Sequence, residues 1–112
     1  MGDNNSSKDW LVFDPEELAG RVAGNEARIF EFLRVPTLSV SIYRLPAGSK
    51  DMQAPHMEDE VYYVIEGKAR LRVEDKNHDI RPGSVLYVRA IAAHSFFDIE
   101  EDLVVLAIFG KA

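Results

Sequence analysis

The 112-residue chain contains no cysteine. That absence removes disulfide bonds, thiolate zinc sites and cysteine nucleophiles together, and it is the usage expected in a reducing compartment such as the cytoplasm. No stretch approaches eighteen uninterrupted apolar residues, so no membrane-spanning helix is expected. The opening residues, MGDNNSSKDW, have neither a basic start nor an apolar run and do not read as a secretory signal. Basic residues are also scarce: thirteen Lys and Arg against nineteen Asp and Glu give a net charge of −6. With no long basic block, such a surface repels nucleic acid. The expected partner is a small molecule, with neither nucleic acid nor membrane involved.

What is present is enough for one core. At this length the chain is a single domain, and its 46% hydrophobic content is ordinary for a globular protein. Residues 1 to 9 are small and polar and are expected to be flexible, which leaves residues 10 to 112 as the domain. After the apolar run Trp10 to Phe13, Asp14-Pro15-Glu16-Glu17 reads as a helix start, with a side-chain acceptor at the cap and proline in the first turn. Gly24-Asn25 ends that helix after about two turns.

From Ala27 onward the pattern is that of an all-β protein. Arg28 to Val35 alternates loosely. Leu38, Val40 and Ile42 alternate with Ser39, Ser41 and Tyr43 in a half-buried strand. Glu60 to Ile65 is the next strand, Glu66-Gly67 reads as a tight hairpin turn, and Lys68 to Val73 returns from it. Asp75 to Asp79 and Arg81-Pro82-Gly83 are expected turns. Val85 to Val88, Ser95 to Ile99 and Leu103 to Phe109 complete seven or eight short strands, the count expected of a sandwich or barrel. Val61 to Ile65 and Leu103 to Phe109 are apolar on both faces, so something must cover each side. The interior covers one, and the short helix or a second copy, giving a homodimer, covers the other.

The three histidines differ in setting. His78 sits in a polar turn. His56 and Glu60 lie close together at the mouth of an apolar strand, and His94 lies among apolar residues, so these three make a candidate ligand set for a metal. Read alone, His94 is better taken as a core histidine bonded to a backbone carbonyl, and it is the two sites taken together that favour the ligand reading. Residues in register with Glu60, namely Tyr62 and Val64, belong on a pocket wall with it, and Phe96 shares a face with His94. Tyr43, Tyr87 and Arg89 are further candidate ligand contacts whose facing the sequence leaves open.

Gly48, Ala54, His56, Glu60 and Gly67 fall at the spacing of the first cupin motif, and Gly83, Arg89, His94 and Asp98 at that of the second. The phrases LPAG, PHMEDEVYYVIEG, RPGSVLYV and EDLVVLAIFG are similar to those of small one-barrel cupins. Residues 38 to 109 thus resemble that superfamily. The resemblance implies a single-domain, all-β jelly-roll barrel, here with a short N-terminal helix. It also implies a divalent metal (Fe, Mn, Ni or Zn) held by His56, Glu60 and His94.

The chain departs from the pattern at several positions. Ala54 replaces the first motif histidine, and Arg89, Ile91 and Asp98 replace the usual proline, glycine and asparagine of the second motif. Two histidines and a carboxylate still match the facial arrangement of non-haem iron, and Gln53 is the nearest oxygen donor for the vacant position. The implied activity is then that of a metal-dependent oxygenase, isomerase or lyase, with catalytic residues unassigned. The alternative is a metal-free pocket that binds or senses a sugar or an acid.

Overall fold

A computed structural model describes residues 9 to 51 and 57 to 111, which form one short helix and six strands. Helix α1 (Pro15–Arg21) begins as the sequence predicts. Asp14 caps it by accepting from the Glu16 N–H at 3.2 Å, Pro15 fills the first turn, and Glu16 and Glu17 complement the positive end of the helix dipole. The strands are β1 (Arg28–Val35), β2 (Leu38–Leu45), β3 (Glu60–Val73), β4 (Lys76–Ile80), β5 (Val85–Val88) and β6 (His94–Gly110), all paired antiparallel.

Two long strands take the place of four. The first half of β3 lies between β5 and the second half of β6, which continues to β2 and then β1. The second half of β3 lies between β4 and the first residues of β6. Each long strand therefore contributes to both walls of a jelly roll. The expected hairpin at Glu66-Gly67 is a bend inside β3, where the register against β6 shifts on either side of Glu66 and again after Lys68. The expected break between Ile99 and Leu103 is likewise a bend inside β6, and residues 76 to 79, expected as turn, belong to the polar edge strand β4.

The reason for the bend is steric. Gly67 has φ +104°, and a Cβ there would meet the Asp102 carbonyl oxygen and lie 2.7 Å from Leu103 Cα. A glycine followed by a charged residue signals a bulge or close backbone approach as readily as a two-residue turn, and here β6 crosses against it.

The apolar residues divide between two faces. Leu45, Tyr62, Val64, Leu71, Val88, Phe96, Leu103 and Val105 fill the barrel interior. Leu18 and Val22 of α1 cover Ile42 and Val104 on the outside of the larger sheet, each buried side chain contributing about 1.5–3 kcal/mol. The helix therefore covers part of the second apolar face that the sequence calls for. Facing along β2 is the less common choice: its serines point inward. Ser39 and Ser41 are buried, while Val40 is only half-buried and Ile42 lies under the helix. Ser39 is in register with Phe109, and Phe109 with Glu60, so the serines share the interior face with the acid.

Candidate functional site

The site is built where β3 begins and β6 begins. Glu60 is the first residue of β3 and His94 the first of β6, and both side chains are almost completely buried, at 1% and 2% exposure. Asp59 Oδ1 accepts from the Ala90 N–H at 2.8 Å, which ties the loop leading to His94 against the start of β3. In that loop Ile91, at the position where the motif has glycine, holds φ +60° and stays exposed. A β-branched residue in this conformation carries backbone strain.

The hydrogen bonds assign the protons. His94 Nδ1 lies 2.9 Å from the Ala92 carbonyl oxygen, which only accepts, so Nδ1 carries a hydrogen. Nε2 is left facing Glu60 Oε1 at 2.8 Å and the Tyr62 hydroxyl at 3.1 Å. The hydrogen bond to Glu60 holds the His94 pKa above its ordinary value of 6.5 against the opposing effect of burial, with smaller help from the Ala92 carbonyl and the charges of Glu60 and Asp51. Glu60 Oε2 is buried and has no hydrogen-bond partner among the described residues. An unsatisfied buried carboxylate oxygen costs roughly 1–3 kcal/mol or more, and such an atom in a folded protein calls for an explanation.

Glu60 and His94 are placed so that they could fill two positions around one divalent metal. Two cis ligands at about 2.1 Å from one ion stand about 3 Å apart, close to the 2.8 Å between Glu60 Oε1 and His94 Nε2. An imidazole that gives its other N–H to a backbone carbonyl is held as metal-binding histidines are held. Among the described residues no group of three His, Cys, Asp or Glu side chains comes together, so a third ligand of these types is not among them. His56 and Gln53 lie in 52–56, outside the described residues.

Around this pair the other expected residues separate clearly. Tyr62 touches His94, and Phe96 packs edge-on against the Tyr62 ring with centroids 4.9 Å apart. Val64 and Tyr43 also face the interior. Tyr87 and Arg89 do not: Tyr87 pairs with Val61 on the outer face and is 64% exposed, and Arg89 is exposed after the end of β5. Glu60 and Val88 set the inward phase of β5, and one step along the strand puts Tyr87 outside.

Two contributions escaped the sequence. One is the inward serine pair on β2, whose facing needed the register with β6. The other is Asp51, whose carboxylate accepts from the Tyr43 hydroxyl and the Phe96 N–H, both at 2.9 Å. Burial and the adjacent Asp51 charge push the Tyr43 hydroxyl well above its ordinary pKa of 10. No local signal distinguishes Asp51 from the neighbouring acids. An open groove of about 850 Å³ lies elsewhere, lined by residues of the β3 and β6 bends and the turn before β5. Several of its charges are paired with one another, Arg70 with Asp79 and Asp98, and Lys68 with Glu100.

Comparison with known proteins agrees with the barrel. A family model described as "Cupin domain" matches residues 41–109. An uncharacterized protein of Streptomyces coelicolor is 43% identical over 99 residues, covering 88% of this chain and 94% of that protein. An RmlC-like cupin of double-stranded β-helix fold from Methanocaldococcus jannaschii superimposes with a TM-score of 0.73 at 14% identity, over 93% of this chain and 91% of that one. The DMSP lyase DddQ from Ruegeria pomeroyi superimposes with a TM-score of 0.72 at 15% identity, over 77% of this chain. The chain spans about half of that lyase, 47% of its length.

Proposed function

The chain belongs to the cupin family, and on that premise we propose that it holds a divalent metal in the barrel and binds a small polar organic molecule beside it. One atom carries this reading: Glu60 Oε2, buried and without a partner among the described residues, next to an imidazole whose Nε2 faces the same carboxylate. Glu60 and His94 supply two donors. His56 is proposed as the third, with Gln53 as an added oxygen donor. Bound there, Fe, Mn, Ni or Zn supplies a Lewis acid, which suits oxygenase, isomerase or lyase chemistry.

The chain's own residues then divide the remaining tasks. The Ala92 carbonyl fixes the His94 ring so that Nε2 is the donor atom. The Tyr62 hydroxyl, 3.1 Å from that nitrogen, is a proton donor or acceptor beside the ligand. Val64 and Phe96 make apolar wall that excludes water. Ser39 and Ser41 offer hydroxyls from β2, two strands away on the same inward face as Glu60, in keeping with a polar ligand. We further propose a homodimer, supported by Tyr63, Val85 and Tyr87, which stand exposed side by side on the outer face at the β5 edge.

The test is metal analysis of the untagged protein, purified without chelator and then reconstituted with each of the four ions. About one ion per chain is expected for at least one of them, and its loss in Glu60→Ala and His94→Ala. Less than about a tenth of an ion per chain with all four refutes the proposal.

A metal-free pocket for a sugar or acid is the second reading. Its support is that His94 Nε2 already has both Glu60 and Tyr62 within hydrogen-bond distance, while Ala54 stands at the first ligand position of the motif.

A further inference from the structure

Asp51 lies on the loop after β2, is half-buried, and has no part in the proposed donor set. Its two oxygens join separate elements. Oδ1 accepts from the Tyr43 hydroxyl on β2, and Oδ2 accepts from the Phe96 backbone N–H on β6. Among the described residues, 94 to 97 of β6 pair with β3 on one side only, so Phe96 sits on an edge. There the carboxylate takes the place of a neighbouring strand for that N–H. An unpaired edge N–H is otherwise left to water, or to slippage of the strand that carries it.

What that strand carries is the site. Phe96 is two residues beyond His94 on the same face, its ring packs against Tyr62, and the Tyr62 hydroxyl reaches His94 Nε2. We infer that Asp51 is a positioning residue: by holding the Phe96 amide against β2, it fixes the Phe96–Tyr62–His94 stack and so the direction of the His94 lone pair. The inference rests on the metal-binding reading. A charged acceptor suits this role because a bond from a backbone N–H to a carboxylate is about twice as strong as one to a neutral oxygen. Tyr43 supports it by consuming the other oxygen and fixing the carboxylate plane.

The experiment is a titration of the full chain with Co(II), a visibly absorbing stand-in for the physiological ion. Kd and the positions of the d–d bands are read for the wild type, Asp51→Ala, Asp51→Asn, Tyr43→Phe and Glu60→Ala, and melting temperatures are read in chelator. Glu60→Ala is expected to lose the ion. Asp51→Ala is expected to bind it about 10- to 100-fold more weakly, with shifted bands, the effect seen when a group orienting a metal ligand is removed. Asp51→Asn keeps one carbonyl oxygen for the Phe96 amide and is expected to recover part of the loss.

If Asp51→Ala does not fold, Asp51→Asn and Tyr43→Phe make the same comparison with smaller shifts. A Kd within about threefold of wild type and unmoved bands, even with a lowered melting temperature, overturns the positioning role. Provided that Glu60→Ala still loses the ion, that outcome leaves the metal reading intact. A wild type that binds no Co(II) overturns both.

Discussion

The buried Glu60–His94 pair makes an asymmetric prediction about stability in the absence of metal. Glu60→Met removes a carboxylate whose Oε2 has no partner among the described residues, a relief of roughly 1–3 kcal/mol, and forfeits a charge-assisted bond to His94 of roughly 1.5–3 kcal/mol. His94 then reverts to a neutral ring that keeps Ala92 at Nδ1 and Tyr62 at Nε2. The two effects nearly cancel, leaving the variant within about 1 kcal/mol of wild type. His94→Ala does the opposite. It strands a carboxylate that is 1% exposed, and breaking a buried pair from one side costs about 3–5 kcal/mol.

For a domain of this length 1 kcal/mol corresponds to roughly 4 °C in Tm. In chelator, Glu60→Met should therefore melt within about 4 °C of wild type and His94→Ala about 12–20 °C below it. The pH dependence supplies a second handle. His94 has a raised folded pKa, so its contribution is fully present below its unfolded value of 6.5 and is lost as pH rises through the folded value. Wild type should lose that increment between a pH below 6.5 and an alkaline pH above the raised folded value, whereas Glu60→Met should not, so the comparison moves in favour of the variant with rising pH. Melting curves by circular dichroism at the two pH values test both points. A Glu60→Met variant that falls as far as His94→Ala would refute the near-cancellation of the two effects.

Three other outcomes follow from single residues. Gly67→Ala places a methyl against the Asp102 carbonyl and Leu103 Cα at a positive φ; a loss of about 3 kcal/mol or more in urea unfolding is expected, and an unchanged midpoint would show that the strands do not cross there. Ile91→Gly relieves a β-branched residue at φ +60° that is 65% exposed, so a gain of about 1 kcal/mol is expected, read as a higher melting temperature. For the proposed homodimer, sedimentation should give twice the chain mass of 12.6 kDa, and Tyr87→Glu should shift it toward the single mass; a wild-type mass of 12.6 kDa at micromolar concentration counts against the dimer.

Much of this molecule is legible in its sequence because the relevant forces act between neighbours. The cap at Asp14 is such a local matter, settled within two residues. So is the inward alternation of Glu60, Tyr62 and Val64, which the pleat fixes once one of them is known to be buried. The motif spacing placed Glu60 and His94 in one site, and they are 2.8 Å apart.

Tertiary contact decided the rest. Whether Glu66-Gly67 is a turn or a bend depends on β6, more than thirty residues away, which fills the space a turn would need. Strand alternation gives β2 two faces but no direction. Helix α1 settles it by covering Ile42, and the register through Phe109 brings the serines round to Glu60. The same step of one residue puts Val88 inside and Tyr87 outside. Asp51 shows the limit most plainly. Nothing in its neighbourhood along the chain marks it, because its partners come from β2 and from an edge of β6, and only the closed barrel brings them together.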